Sequence, residues 1–294
     1  MRRRPCTPPL MRLSPIKQRR ATKAEVENRR EALLAIVEDG RPMTVRQVFY
    51  QATVRALVEK AESGYAKVQV DLTKMRRDGS LPYDWLADNT RWQRKPRSFD
   101  SVEDALQETA RFYRKNLWRD ADSYVEIWLE KDALAGVVYP VTKMYDAPLM
   151  VARGYASLSF LHSAAEYIND LDVPTYIYHL GDFDPSGVNA GEKIEETLRE
   201  MAPDADIYFE RIAVTAEQIA EWNLPTRPTK ASDTRSKNFG NISVELDAID
   251  PNRLRSLVQD AIGIHLRAEQ FAVLKAAEES EREIIARLVG RTTS

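Results

Sequence analysis

The strongest constraint on this chain is an alternation that sets in beyond Arg119. Four short runs of strand character, Tyr124–Leu129, Leu149–Ala152, Thr175–Leu180 and Ile207–Ala213, are separated by helical stretches at Ala133–Tyr139, Leu158–Leu171 and Val188–Met201. Strand and helix alternating with short connections predict an α/β, βα-layered domain with a largely parallel sheet. Open sheets of this kind bind ligands outside the carboxyl ends of their strands. The C-terminal runs Pro251–Ile262 and Arg267–Val289 read as amphipathic helices suited to packing on the sheet or on a partner.

Upstream the pattern is helical. Thr22 followed three residues later by Glu25 reads as a capping box, opening a helix through Val26, Leu33, Leu34 and Ile36 to Gly40. Thr44 can cap a second helix whose apolar positions are Val45, Val48, Phe49, Ala52 and Ala56. Tyr65 to Arg76 reads as a third, ending in the basic cluster Lys74, Arg76 and Arg77 before the Asp78-Gly79 turn. This order predicts a helix-turn-helix or winged-helix unit, with Ser80–Trp85 as the strand pair of its wing. Ser101–Asn116 reads as a further helix. The basic stretch Arg91–Arg97, with Trp92 inside it, reads as an interdomain linker or a nucleic-acid contact.

Charge is unevenly spread along the 294 residues. Residues 1–24 hold eight basic side chains and no acid, broken by Pro5, Pro8, Pro9 and Pro15, whereas the rest of the chain is acidic. A disordered arm that binds phosphates by counterion release fits this composition, as does a solvated tail. The expected organisation is a basic arm over 1–24, a winged-helix domain over 25–118 and an α/β domain with C-terminal helices over 119–294. A single cysteine, Cys6, excludes a disulfide framework and any multi-cysteine zinc site, and His162, His179 and His265 have no ligand spacing. No apolar run reaches the roughly 18 residues of a membrane span, and no apolar stretch follows the first arginines as in a signal peptide, so a cytoplasmic protein is expected.

Three acids fall where the strand pattern places a site. Glu130 follows the first strand, and Asp182 and Asp184 follow the third in Gly181-Asp-Phe-Asp-Pro-Ser-Gly187. Carboxylates with no His or Cys beside them favour Mg²⁺ or Mn²⁺, which bind through few protein oxygens plus waters and substrate phosphate. That suits phosphoryl-transfer chemistry, although Asp, Pro, Ser and Gly also make ordinary turns. In the second helix Arg46 and Tyr50, four residues apart, project from one side. Tyr50 can serve as a nucleophile toward phosphorus and Arg46 as a phosphate-binding cation; the plainer reading is a packed helix tyrosine.

Taken together these segments resemble the A subunit of topoisomerase VI and its relative, the meiotic double-strand-break transesterase. The matching residues are Arg46-Gln-Val-Phe-Tyr50, Glu130-Lys131, Asp182-Phe-Asp-Pro-Ser-Gly187 and Val244-Glu-Leu-Asp-Ala-Ile249, in that order. The resemblance covers most of 41–262. It implies a winged-helix domain followed by a Rossmann-like toprim domain. It also implies that Tyr50 attacks a phosphodiester of double-stranded DNA to give a 5′-phosphotyrosyl link, with Mg²⁺ held by Glu130, Asp182 and Asp184. In that family the tyrosine of one protomer meets the metal site of the other, which implies a homodimer. The chain carries no Walker A loop, so a GHKL-type ATPase would be a separate subunit. The alternatives are a toprim nuclease in which water attacks and Tyr50 merely packs, and a DNA-binding or regulatory protein without turnover.

Overall fold

The computed structural model describes residues 21–87, 96–229 and 239–292. Most of the basic arm with Cys6, and residues 91–95 of the basic Trp92 stretch, lie outside them. Helix α1 (Lys23–Gly40) starts at the expected capping box, in which Thr22 Oγ1 accepts from the Glu25 N–H at 3.2 Å and Glu25 returns a carboxylate to the Thr22 N–H at 2.7 Å. Helix α2 (Val45–Val54) opens the same way, with Thr44 and Gln47 as the reciprocal pair. It stops short of Ala56, which adopts a positive φ of 55° outside the helix. Helix α3 (Glu62–Arg77) buries Val68, Leu72 and Met75 beside Leu33, Ile36 and Val37 of α1 and Val48 and Ala52 of α2. Arg29 and Arg30 of α1 both reach the buried Asp71 of α3.

The expected wing does not form. Residues 80–85 form no strand pair; Tyr83–Trp85 is one turn of 3₁₀-helix entered through Pro82. Pro82 has no N–H for a ladder. The chain instead returns to the start of α2, where the Met43 N–H donates to the Trp85 carbonyl at 3.3 Å and the Ala87 N–H to the Met43 carbonyl at 2.9 Å. Helix α4 (Val102–Phe112), capped by Ser101, ends four residues earlier than the pattern suggested.

Four parallel strands follow: β1 (Tyr124–Leu129), β2 (Leu149–Val151), β3 (Thr175–Leu180) and β4 (Ile207–Ala213), in the order β2-β1-β3-β4. Between them lie α5 (Ala135–Met144), α6 (Leu158–Asn169) and α7 (Pro185–Met201). The protein is thus α/β with a parallel sheet. Every residue of β1 is buried, as expected of a strand covered on both faces. Trp128 and Ile177 pack against Leu161, Ala165 and Ile168 of α6 and Ile194 and Leu198 of α7. On the opposite face Val125, Ile127, Leu129 and Leu180 join α5 in an apolar cluster that runs on into α1–α3.

Register levels the strand ends: Leu129 pairs with Leu180 and with Val151, and Leu180 with Ala213. The residues after β1 and β3 therefore emerge side by side between helices on opposite faces, which is where a crevice opens in open α/β sheets. Beyond β4 come α8 (Ala216–Glu221), a small antiparallel pair β5 (Arg227–Pro228) and β6 (Ile242–Ser243), then α9 (Pro251–Gly263) and α10 (Ala268–Thr292). Two backbone hydrogen bonds between Phe183 and Val244, at 2.8 and 2.9 Å, fasten the segment 244–249 to the turn after β3. That segment also packs on α2.

Candidate active site

The acids predicted from the sequence meet at the carboxyl end of β1 and β3. Glu130 Oε2 accepts the Asp182 N–H at 2.8 Å. Two glycines make room for this approach. A Cβ on Gly181 would come within 2.6 Å of Glu130 Oε2, and one on Gly187 within 2.5 Å of the Asp182 carbonyl oxygen and 2.9 Å of Glu130 Oε2. Asp184 caps α7, which begins at Pro185 rather than near Val188: Asp184 Oδ1 accepts from the Gly187 N–H at 2.9 Å and Pro185 takes the first helical position.

Lys131, noted in the sequence beside Glu130, and two arginines that the sequence pattern did not single out organise this end of the sheet. Lys131 Nζ lies 2.9 Å from Asp182 Oδ1, 2.8 Å from Asp247 Oδ2 and 3.6 Å from Glu245 Oε2. Asp182 Oδ1 also accepts from the Leu246 N–H at 2.8 Å. Arg227 spans Asp184 Oδ2 at 3.1 Å and Glu245 Oε1 at 3.4 Å. Underneath, the Arg211 guanidinium donates to the carbonyls of Gly181 (2.8 Å), Val214 (3.0 Å), Gly187 (3.3 Å) and Asp182. One side chain thereby braces both ends of the Asp-x-Asp turn. Its one signal in the sequence is a basic residue within an otherwise mainly apolar and aromatic strand run.

Tyr50 and Arg46 sit on the neighbouring α2. Tyr50 is 7% exposed, its ring tilted against Phe49 with centroids 5.5 Å apart. A cavity of about 150 Å³ opens beside it, lined by Arg46, Phe49, Lys60, Glu62 and Tyr65. Arg46 Nη1 pairs with Glu245 Oε2 at 2.6 Å. Thr44, the cap of α2, donates to Asp247 Oδ1 at 3.1 Å. Glu245 and Asp247 thus tie α2 to Lys131. Among the described residues no hydrogen bond joins Tyr50 to Glu130, Asp182 or Asp184; the connection runs through Arg46, Glu245 and Lys131.

Electrostatics distinguish the two sides. Burial raises the Glu130 carboxyl above its ordinary pKa, reinforced by the charge of Asp182. Burial also raises Asp182, opposed by Lys131. Burial works against the Lys131 ammonium, but Asp247, Asp182 and Glu245 outweigh it and hold its proton more tightly than usual. Burial and the Glu245 charge push the Tyr50 hydroxyl up to about 12, against the pull of Arg46 and Lys131. In this arrangement Tyr50 stays protonated at neutral pH.

Among the described residues no three His, Cys, Asp or Glu side chains converge into a ready-made metal cage. The donor chemistry nevertheless fits Mg²⁺ or Mn²⁺ at Glu130 and Asp182. Burial makes both carboxylates costly to ionise and the Asp182 charge adds to the cost at Glu130, and such ions need only one or two protein carboxylates beside water and phosphate. Both Asp184 oxygens are engaged, one by the α7 cap and one by Arg227. No family model matches this chain, and no curated protein matches it.

Proposed function

We propose that the chain is a Mg²⁺- or Mn²⁺-dependent DNA-cleaving transesterase, similar to the A subunit of type IIB topoisomerases, with Tyr50 as its nucleophile. In this reading residues 25–118, helical and, among the described residues, without the strand pair of a wing, carry the nucleophile, residues 119–294 act as a Rossmann-like toprim domain with its helices, and the basic arm 1–24 binds phosphates of the DNA backbone. The observation that carries it is the ion-pair chain from Arg46, one helical turn before Tyr50, through Glu245 and Lys131 to Asp182. A guanidinium one helical turn from the Tyr50 hydroxyl and an acidic centre at the end of the sheet are thereby joined across otherwise separate elements.

A divalent ion at Glu130 and Asp182, with Asp184 beside them, would neutralise charge on the scissile phosphate. Arg46 holds a non-bridging phosphate oxygen. The Tyr50 oxygen attacks phosphorus and loses its proton; the bond to the 3′ oxygen breaks, and that oxygen takes up a proton. One phosphodiester has been exchanged for another, so the reverse attack reseals the strand without a nucleotide. A homodimer would cut both strands, and a GHKL-type ATPase on another chain would be needed for energy-driven strand passage. A cytoplasmic, nucleoid-associated location follows from this reading.

A second reading rests on the burial of Tyr50 and its high pKa: a toprim nuclease in which water, not Tyr50, attacks. Purified protein incubated with supercoiled plasmid and Mg²⁺ or Mn²⁺, then quenched with detergent, separates the two. Transesterification leaves protein on the 5′ ends, visible as a protease-sensitive gel shift and lost in Tyr50→Phe. Hydrolysis leaves protein-free ends that persist in Tyr50→Phe and vanish in Asp182→Asn. No cleavage with any divalent ion, alongside intact DNA binding, would favour a binding protein.

A further inference from the structure

Helix α5 begins shortly after Glu130 and carries the chain about 15 Å, at 1.5 Å per residue, back toward the amino ends of the strands. There α4, α5 and α10 enclose a cleft of about 520 Å³ that the carboxylate site does not use. Its lining includes five cations, Arg111, Arg114, Lys143, Lys275 and Arg282, against one carboxylate, Glu278. Glu278 is buried and already shared by Lys275 and Arg282. Arg114 donates to the Lys143 carbonyl and lies 3.9 Å from Asp146. Arg111 and Lys143 are exposed and pair with no carboxylate among the described residues. The Phe112 ring, 49% exposed, has the guanidinium of Arg97 5.0 Å and that of Arg111 5.4 Å from its centroid.

Exposed cations in excess of carboxylates, with the guanidinium of Arg111 fixed against an aromatic face, are the chemistry of a phosphodiester contact. We propose that this cleft is a second backbone contact for duplex DNA, separate from the carboxylate site and independent of the divalent ion. The proposal rests on DNA being the substrate. A duplex reaching both places must extend several base pairs past the scissile bond, because 15 Å corresponds to about four base pairs at 3.4 Å each. Arg111 and Lys143 would then each neutralise one phosphate.

The test is fluorescence anisotropy of the full chain on a labelled duplex of about 30 base pairs without divalent ion, titrated over potassium chloride concentration. For the pair Arg111→Gln with Lys143→Gln, the slope of log K against log salt should fall in magnitude by about 1.8, at about 0.9 per lost phosphate contact. Lys143→Arg, which keeps the charge, should retain the wild-type slope and shows whether the position tolerates change. Equal slopes for wild type and the glutamine pair would overturn the proposal, as would be expected if the cleft takes an acidic protein instead. If such equal slopes accompany a normal Tyr50 adduct, only this second contact falls. If the wild type binds no DNA at all, the transesterase reading falls with it.

Discussion

Tyr50 is held by apolar packing, its ring against Phe49 in the cluster that α2 shares with α1, α3 and the sheet. Glu130 and Asp182 are held by polar contacts: a backbone N–H, the Lys131 ammonium, the Leu246 N–H and, beneath the turn, Arg211. Packing fixes where the tyrosine is but makes its anion costly, which is why its pKa rises to about 12. The polar frame offsets part of the same cost: the Asp182 N–H favours the Glu130 carboxylate and Lys131 and the Leu246 N–H favour that of Asp182, while burial still holds both carboxyls above their ordinary pKa. In the proposed reading the Tyr50 anion is favoured by the cations Arg46 and Lys131 and opposed by the charge of Glu245, so the Arg46–Glu245 contact sets how much of that help reaches the hydroxyl.

The largest effect expected from breaking the polar side is on chemistry. Asp182→Asn or Glu130→Gln should lower DNA cleavage by about 10³-fold or more in a gel assay, while DNA binding without divalent ion is retained. Removing the brace under the turn acts on stability instead. Arg211→Met leaves four backbone carbonyls without their shared donor and should cost about 2 to 3 kcal/mol, read from the urea midpoint.

His179 sharpens the contrast by pH. It lies under the same turn, 1% exposed and close to Arg211, and burial with that positive charge pushes its pKa down to about 3. An unfolded histidine titrates near 6.5, so between these values the unfolded chain binds the extra proton and stability rises with pH. The contribution is therefore complete above about pH 6.5 and is lost as pH falls toward 3, amounting to about 2 kcal/mol by pH 5. A His179→Asn protein should show a flatter acid limb in denaturation at stepped pH than the wild type; parallel limbs would remove His179 as the cause.

The smallest change concerns the link itself. Glu245→Gln removes a charge that disfavours the Tyr50 anion, so Tyr50 should ionise below its present value of about 12. Phenolate absorbance of Glu245→Gln, minus that of the same protein carrying Tyr50→Phe, isolates this one titration. An unshifted curve would mean that the Glu245 charge does not reach the hydroxyl.

What was legible in the sequence follows the same division. Strands β1 and β3 have the bounds that their mainly apolar runs predict, because central strands are covered on both faces, and the edge strand β4 has its predicted bounds although Tyr208 and Glu210 within it are exposed. The caps at Thr22 and Thr44 are equally local and are present as read. The Ser80–Trp85 wing strands were not found: the apolar and aromatic residues there resemble a strand, yet Pro82 diverts the segment into a 3₁₀ turn held by Met43. At the site, Glu130, Asp182 and Asp184 were visible because they follow strands. Arg211 and Arg227 were not, since their partners are set by the tertiary fold. Glu245 and Asp247 are visible in the sequence within the run Val244–Ile249 that carries the family resemblance, but their pairing with Lys131 spans more than a hundred residues and leaves no periodic trace.

The most direct test of the central claim is a mass measurement on the protein, not the DNA. After incubation with duplex and Mn²⁺, detergent quench, exhaustive nuclease treatment and proteolysis, the account predicts that the peptide carrying Tyr50 gains the mass of a nucleotide joined through its 5′ phosphate. DNA cleaved in the same tube with that peptide unmodified would contradict it.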